Sequence, residues 1–351
     1  MDQNIINNLP LVSVLMPAYN VEKYIGASID SILNQEYKNL ELIIIDDAST
    51  DSTLNIIQCY KDSRLVCLKN LENLGVTKCR NKLISLAKGE FIAFLDSDDI
   101  AIASRLKLQV FFLNKNPQID LVGSRIQYMN ESGNKIFFKR SDKFYSIDQI
   151  KTDLLFNNVL STSTVMFRSK IKEYMYNNEV YNIGEDYYIW VSLILKNCKF
   201  SMIDEKLVKY RIRKSSSTNL YISDIKNSFD KIHSLFLDFL NIEITKEKLN
   251  VHNSLFVPNS DFKSDYLLNS ENLYHEIIDS NNKYNIFNSS VLIESIEKNW
   301  YLKCRRSVRY LGYKSFIYYN NSFFKKAKYS FLLIAYYFYH NIIKLLNNYK
   351  N

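Results

Sequence analysis

The sequence predicts an α/β fold, a mixed and mostly parallel sheet flanked by helices, followed by a mainly helical C-terminal region. Three observations carry this. Short apolar or β-branched runs alternate with helix-length amphipathic stretches between residues 11 and 99, the pattern of right-handed βαβ units. One run, Phe91-Ile92-Ala93-Phe94-Leu95, is apolar at every position, as a strand buried on both faces should be. It ends in Asp96-Ser97-Asp98-Asp99, at the carboxyl edge where open α/β sheets place their ligands.

In chain order, residues 11–16 form a first strand stopped by Pro17. A helix over 22–35 follows, with Tyr24, Ile25, Ile29, Ile32 and Leu33 on one face. The second strand, 40–45, runs into the polar turn Asp46-Asp47-Ala48-Ser49-Thr50, which offers several N-caps to a helix over 53–60. A third strand at 65–68, a loop at 70–75 and a helix over 76–87 lead to the apolar strand. The strand ends thus bring Asn20, Asp47 and the Asp96/Asp98 pair to one edge. That edge suits a nucleotide. The chain has neither a GxGxxG fingerprint nor a Walker lysine loop, which disfavours an ordinary dinucleotide enzyme or P-loop NTPase. Residues 121–130 and 135–139 read as strands around a turn at 131–134. Gly184-Glu185-Asp186 opens a helix that continues through Trp190 and Leu193. Residues 224–240 read as a helix, and 241–288 as short helical pieces separated by polar joints.

The 351 residues are 47% hydrophobic, enough for a sizeable core. The five cysteines (59, 67, 79, 198, 304) are odd in number and form no CxxC pair. A disulfide or metal-thiolate framework is not expected, and a reducing compartment is. The N-terminus lacks a signal-peptide pattern, and no apolar run reaches the length of a spanning helix. The net charge of +8 suits an acidic partner: nucleotide phosphates, anionic lipid headgroups or nucleic acid. Asp96, Asp98 and Asp99 would repel one another in a half-buried position, and a hard divalent cation relieves this. A strand ending in an Asp-rich turn, with Asp99 capping a helix, accounts for the same residues without a metal. The four histidines (233, 252, 275, 340) lie outside these motifs and suggest no metal cluster.

The stretches SVLMPAYNVEKYIGASIDSILNQEYKNLELIIIDDASTDST and NLGVTKCRNKLISLAKGEFIAFLDSDD, then STSTVMFRSK (161–170), GEDYYIW (184–190) and LVKYRIRKSSST (207–218), resemble family 2 glycosyltransferases of GT-A fold. The resemblance covers about the first 220 residues. It implies an inverting transferase that uses a nucleotide-sugar, usually a UDP-sugar, and a divalent cation, Mn²⁺ or Mg²⁺. It implies a catalytic domain over 1–220, with a nucleotide-sugar half at 1–100 and an acceptor half at 101–220 that includes the strands around 131–134. Residues 221–351 would form the helical region. Carried over by position, Pro17, Ala18 and Tyr19 line the nucleotide site and Asp47 accepts from the uracil imide. Asp46 is read as a support of its turn. Arg80 lies near base and phosphate, unless it is an exposed helix arginine. Asp96, with Ser97 beside it, contacts ribose or donor sugar, and Asp98 ligates the metal with Asp96. An acceptor hydroxyl needs a positioned base, and the resemblance puts it in the acidic pair: Asp186 as base, Glu185 as its supporter or as the acceptor-site contact. Trp190 either floors a sugar site or packs in the core, where its helical spacing favours it. Arg211 and Arg213 fall at the diphosphate. Arg213 stands where the family commonly has histidine, which makes a guanidinium clamp on the diphosphate possible and puts a third protein ligand to the metal in doubt.

The acceptor this implies is a polyprenyl-diphosphate-linked glycan, an O-antigen or capsule precursor, met in the cytoplasm at the inner face of the cell membrane. The donated sugar would be a hexosyl or N-acetylhexosaminyl group. The tail interleaves Arg305, Arg306, Arg309, Lys314, Lys325, Lys326 and Lys328 with many tyrosines and phenylalanines, and 329–343 is nearly all apolar. Such a helix lies on an anionic membrane or packs on the catalytic domain or a second protomer, which leaves the oligomeric state open. Two other classes are weighed. A nucleotide-sugar-binding pseudo-enzyme is opposed by Asp47, Asp96, Asp98 and Asp186. A nucleic-acid-binding module rests on charge and aromatic content alone, and no nucleic acid is expected.

Overall fold

The computed structural model describes residues 9–136, 144–176, 184–213, 225–255 and 264–348. The chain folds as two compact units: residues 1–150 with 158–221, and residues 151–157 with 222–351. Part of the strand expected over 135–139, and residues 214–218 at the end of the stretch LVKYRIRKSSST, fall outside the described residues; Lys135 makes an isolated antiparallel bridge to Met129.

Among the described residues, the first unit holds an eight-stranded sheet of order β3-β2-β1-β4-β7-β6-β8-β5. Its strands are β1 (Val12–Ala18), β2 (Leu40–Asp46), β3 (Leu65–Lys69), β4 (Phe91–Phe94), β5 (Ile100–Ala101), β6 (Leu121–Met129), β7 (Met166–Arg168) and β8 (Phe200–Arg211). The helices are α1 (Ile25–Leu33), α2 (Thr53–Gln58), α3 (Val76–Leu86), α4 (Arg105–Lys115), α5 (Ile147–Asp153), which runs into the second unit, and α6 (Glu185–Leu195). β3, β2, β1 and β4 are parallel, as their alternation with α1 to α3 requires. Their buried faces (Val12, Val14, Leu42, Ile44, Phe91 and Ala93 among others) form the core against Ile25, Ile29 and Ile32 of α1. Gly89 opens β4 because a Cβ there would stand 2.6 Å from the backbone of Phe91 and Ser13.

Several expectations need correction. β1 does not stop at Pro17: it runs to Ala18, with Pro17 opposite Ile45 of β2. Even-numbered residues of β1 turn their N–H groups to β2, so the amide that Pro17 lacks would face β4. That strand has already ended, its last link being Leu95 N–H to Leu15 O at 3.1 Å, and the missing donor costs nothing. Asp99 caps no helix, since it leads into β5, which pairs antiparallel with β8, and α4 starts only at Arg105. β7 is antiparallel to both neighbours, so the sheet is mixed.

The second unit is helical: α7 (Ile225–Phe239), α8 (Lys246–Asn253), α9 (Ser264–Tyr284), α10 (Ser289–Leu311), α11 (Lys314–Asn321) and α12 (Ala327–Asn348). Residues 264–284, expected as short pieces, are one helix of 21 residues. Its buried stripe includes Ser270 and Asn281, which broke the apolar pattern in the sequence. Ser270 returns its hydroxyl to Tyr266 O at 2.7 Å, and the Asn281 side chain accepts from Phe287 N–H at 2.7 Å. Both polar groups are thereby satisfied inside the core. No helix among the described residues is long and apolar enough to cross a membrane.

Candidate functional site

The carboxyl edge of β1, β2 and β4 assembles the residues singled out in the sequence. At the end of β1, Ala18 is buried and Tyr19 is 46% exposed. The Ala18 carbonyl accepts from Asp47 N–H at 2.8 Å, tying the ends of β1 and β2. Asp46 supports its turn, accepting from Ser49 N–H at 3.2 Å. Asp47 is buried and already engaged. Its Oδ1 accepts from Asn70 Nδ2 at 2.8 Å and Leu74 N–H at 2.9 Å, and its Oδ2 from Gly75 N–H at 2.9 Å. It therefore anchors the loop 70–75, and only its remaining lone pairs are open to a base edge.

At the end of β4 the Asp96 N–H donates to Ser163 Oγ at 3.1 Å, and Ser28 Oγ donates to the Ser97 carbonyl at 2.9 Å. Asp98 pairs through Oδ2 with Arg213 Nε at 2.6 Å. Asp99 is 1% exposed and accepts from Arg211 N–H at 2.8 Å. Burial pushes the Asp98 carboxyl up, Asp96 adding to the shift and Arg213 opposing it. Burial, then Asp98 and Asp96, hold Asp99 well above the carboxylate range. Arg211 is a buried strut: its guanidinium donates to the carbonyls of Asp98 (2.8 Å), Asn130 (3.2 Å) and Glu131 (2.8 Å). Of Arg211 and Arg213, it is thus Arg213 whose guanidinium pairs with a carboxylate of this cluster.

Arg80 is not an exposed helix arginine. It is 6% exposed on α3. It pairs through Nη2 with Asp96 Oδ1 at 2.8 Å and through Nη1 with Glu185. Burial opposes its charge, but Asp96, Glu185 and Asp186 outweigh that and raise its pKa. Glu185 and Asp186 occupy the first turn of α6 after Gly184, whose φ is 82°, where the helix dipole favours negative charge. Both oxygens of Asp186 are held. Oδ1 accepts from Tyr187 N–H at 2.7 Å, and Oδ2 from Thr162 Oγ1 at 3.0 Å and Asn158 Nδ2 at 3.1 Å. Burial raises the pKa of both carboxyls of the pair, and Arg80 pulls against it. Trp190 is fully buried, in the core and not at a sugar site. The sequence reading gave no role to Asn158, Thr162 or Ser163; the last two lie in the quoted stretch STSTVMFRSK, whereas nothing in the sequence marks Asn158.

This edge and the ordered motifs can be set beside known proteins. The family described as Glycosyl transferase family 2 matches residues 13–175. An uncharacterized glycosyltransferase of Methanocaldococcus jannaschii is 36% identical over 231 residues, spanning 65% of this chain and 78% of its own. The chain belongs to glycosyl transferase family 2. Another member, from Escherichia coli, is WfgD, a UDP-Glc:α-D-GlcNAc-diphosphoundecaprenol β-1,3-glucosyltransferase. It is 35% identical over 224 residues, spanning 63% of this chain and 84% of WfgD. Among solved structures, S. aureus TarS 1–349 in complex with UDP-GlcNAc superposes with a TM-score of 0.59 at 20% identity, covering 85% of this chain and 91% of that one. At that identity the likeness is one of fold.

Family 2 glycosyltransferases generally use a divalent cation. Among the described residues no group of three His, Cys, Asp or Glu side chains is placed to hold one. Asp96 and Asp98 nonetheless offer hard oxygen donors at an edge where burial, and after it the neighbouring Asp96, raises the Asp98 pKa. Two carboxylates fit a cation whose shell is completed by substrate phosphates, and do not make an all-protein cage.

Proposed function

We propose that this glycosyltransferase moves a sugar from a UDP-sugar to a hydroxyl of a polyprenyl-diphosphate-linked glycan precursor, with inversion, at the inner face of the cell membrane. Residues 1–220 would be the catalytic domain, the donor held in the half before residue 100 and the acceptor beyond it. The observation that carries the reading is the placement of Asp186. Its carboxylate is fixed by three donors and is linked through its neighbour Glu185 and Arg80 to Asp96 at the donor edge. The names of WfgD and of its E. coli relative WfaP, 31% identical over 234 residues, support the acceptor class, since both carry diphosphoundecaprenol acceptors.

In this reading Pro17, Ala18 and Tyr19 line the nucleotide, with Asp47 at its base edge. Asp96 and Ser97 meet the ribose or donor sugar. The acceptor hydroxyl, with a pKa far above 7, gives its proton to Asp186 as its oxygen attacks the anomeric carbon. Attack opposite the leaving diphosphate is a single displacement, so one base suffices and the centre inverts. Glu185, tied to Arg80, holds the start of α6 in register with Asp96. Arg213 swings from Asp98 to clamp the departing diphosphate through two N–H donors. A divalent cation bound by Asp98 and Asp96, Mn²⁺ or Mg²⁺, would neutralise diphosphate charge there.

A panel of nucleotide-sugars with polyprenyl-diphosphate-linked acceptors, read as nucleotide release, tests this. Release is expected with UDP-sugars, is lost on chelation and returns with Mn²⁺ or Mg²⁺. Full release after exhaustive chelation would make the carboxylate cluster structural. Absence of release with every donor would sink the transfer reading.

A further inference from the structure

Helix α12 is turned inside out by ordinary rules. One side packs on its own unit, with Leu333 fully buried. Its outward stripe, at spacings of three and four, is Phe331, Leu332, Ala335, Phe338 and Tyr339, all exposed. Phe331 is 73% exposed and Phe338 59%. In a helix that merely closes a core, the outward stripe is polar. Tyr310 at the end of α10, Tyr313 just before α11, Ile317 on α11, and Phe323 between α11 and α12 extend the exposed apolar surface. Tyr313 touches Tyr337 of α12 at 5.9 Å between ring centroids, so α11 and α12 are joined. Arg305 of α10 lies 4.6 Å from the Tyr336 ring, bringing its charge to the same helix.

The charge of this segment of the sequence is one-sided, although Glu297, just before it, pairs with Lys326. Residues 298–351 hold eleven Lys and Arg and no Asp or Glu. The chain as a whole is +8, so residues 1–297 carry −3. All of the excess positive charge belongs to the segment that also exposes the aromatics.

We infer that the outward face of α12, with the adjoining aromatics of α10 and α11 and their surrounding Lys and Arg, is a docking surface for an anionic phospholipid bilayer. Apolar and aromatic side chains enter the interfacial zone and the basic residues meet headgroup phosphates. Tyrosine and phenylalanine suit that zone, where one end of a side chain is dry and the other wet. A second copy of the chain is the poorer occupant. Pairing this face with itself would set its exposed cations, Arg305, Arg309, Lys314, Lys325 and Lys328 among them, against their own copies; Lys303 is buried and Lys326 is already paired with Glu297, so neither belongs to this set. α12 lies on the surface and does not cross it, since it is not apolar enough to span. The inference deepens the proposed function by naming the surface. It rests on that reading only for the reason a membrane is near, because the acceptor there is lipid-linked.

The test is co-sedimentation of the full chain with vesicles of phosphatidylcholine alone and of equimolar phosphatidylcholine and phosphatidylglycerol, without donor or acceptor. Binding is expected to the anionic vesicles, to weaken with salt, and to be slight with neutral ones. Phe331→Ser with Phe338→Ser, and separately Arg309→Glu with Lys328→Glu, should each weaken binding roughly tenfold or more. These side chains are exposed, so circular dichroism and the thermal transition should not move. The inference is overturned if the full chain ignores anionic vesicles, or if it binds neutral and anionic ones equally. It is also overturned if the Phe331/Phe338 variant binds like the parent, or if sedimentation finds a dimer that this variant splits. Nucleotide release from a soluble acceptor analogue is read separately, so failure of docking and failure of transfer are told apart.

Discussion

Asp186→Asn leaves donor binding within a few fold and lowers turnover by roughly 10²–10⁴-fold, the range for loss of a general base. The amide keeps the size of the side chain: its oxygen can still accept from Tyr187 N–H, while its NH2, standing where Oδ2 was, donates to the Thr162 hydroxyl in place of accepting from it. It cannot take a proton from the acceptor. Titration calorimetry with the nucleotide-sugar and single-turnover rates separate the two effects. The parent's rate should fall as pH falls, because the base works only when ionised. Burial raises the Asp186 pKa, so that acid limb lies above the usual carboxylate range. In Asp186→Asn the limb should vanish. If Glu185→Gln is the inactive variant and Asp186→Asn is not, the roles within the pair are reversed.

Arg80→Met destabilises the first unit by about 3–5 kcal/mol, the cost of removing one partner from a buried ion pair. Arg80 is 6% exposed and bridges two carboxylates on different elements, Asp96 after β4 and Glu185 on α6. Methionine fills much of the volume but leaves both anions uncompensated. Denaturant unfolding measures the loss. Arg80→Met combined with Glu185→Gln should recover part of it, because one buried charge is removed along with its partner. A loss below about 1 kcal/mol would mean the triad is screened like a surface pair.

Local patterns carried the sequence reading where the interactions are local. The βα alternation and the run from Phe91 to Leu95 marked the parallel half of the sheet, and the strand ends marked the edge with Asp47, Asp96 and Asp98. What they could not carry is pairing between distant residues. Arg80 meets Glu185 across 105 positions, so its part as the link between two carboxylates could not be read from its neighbours in the sequence. Asn158 and Thr162 reach Asp186 across 28 and 24 positions, and an Asn or Thr in a loop announces nothing. Arg211 resembled a phosphate ligand, yet its donors go to three carbonyls, a commitment set by how β8 runs past Asp98 and the turn at Asn130 and Glu131. β5 has two residues, too few for any period to show. In the second unit, Ser270 and Asn281 sit on the buried stripe of α9 and hid a long helix.

The central claim is transfer by a single displacement assisted by one base, and the anomeric configuration of the product tests it most directly. The product of an α-linked UDP-sugar and a polyprenyl-diphosphate-linked acceptor can be read from its anomeric proton coupling by NMR. A β-linked product is expected from the parent, and the same linkage, formed far more slowly, from Asp186→Asn. An α-linked product would require two displacements or a front-face path, and would contradict the role given to Asp186.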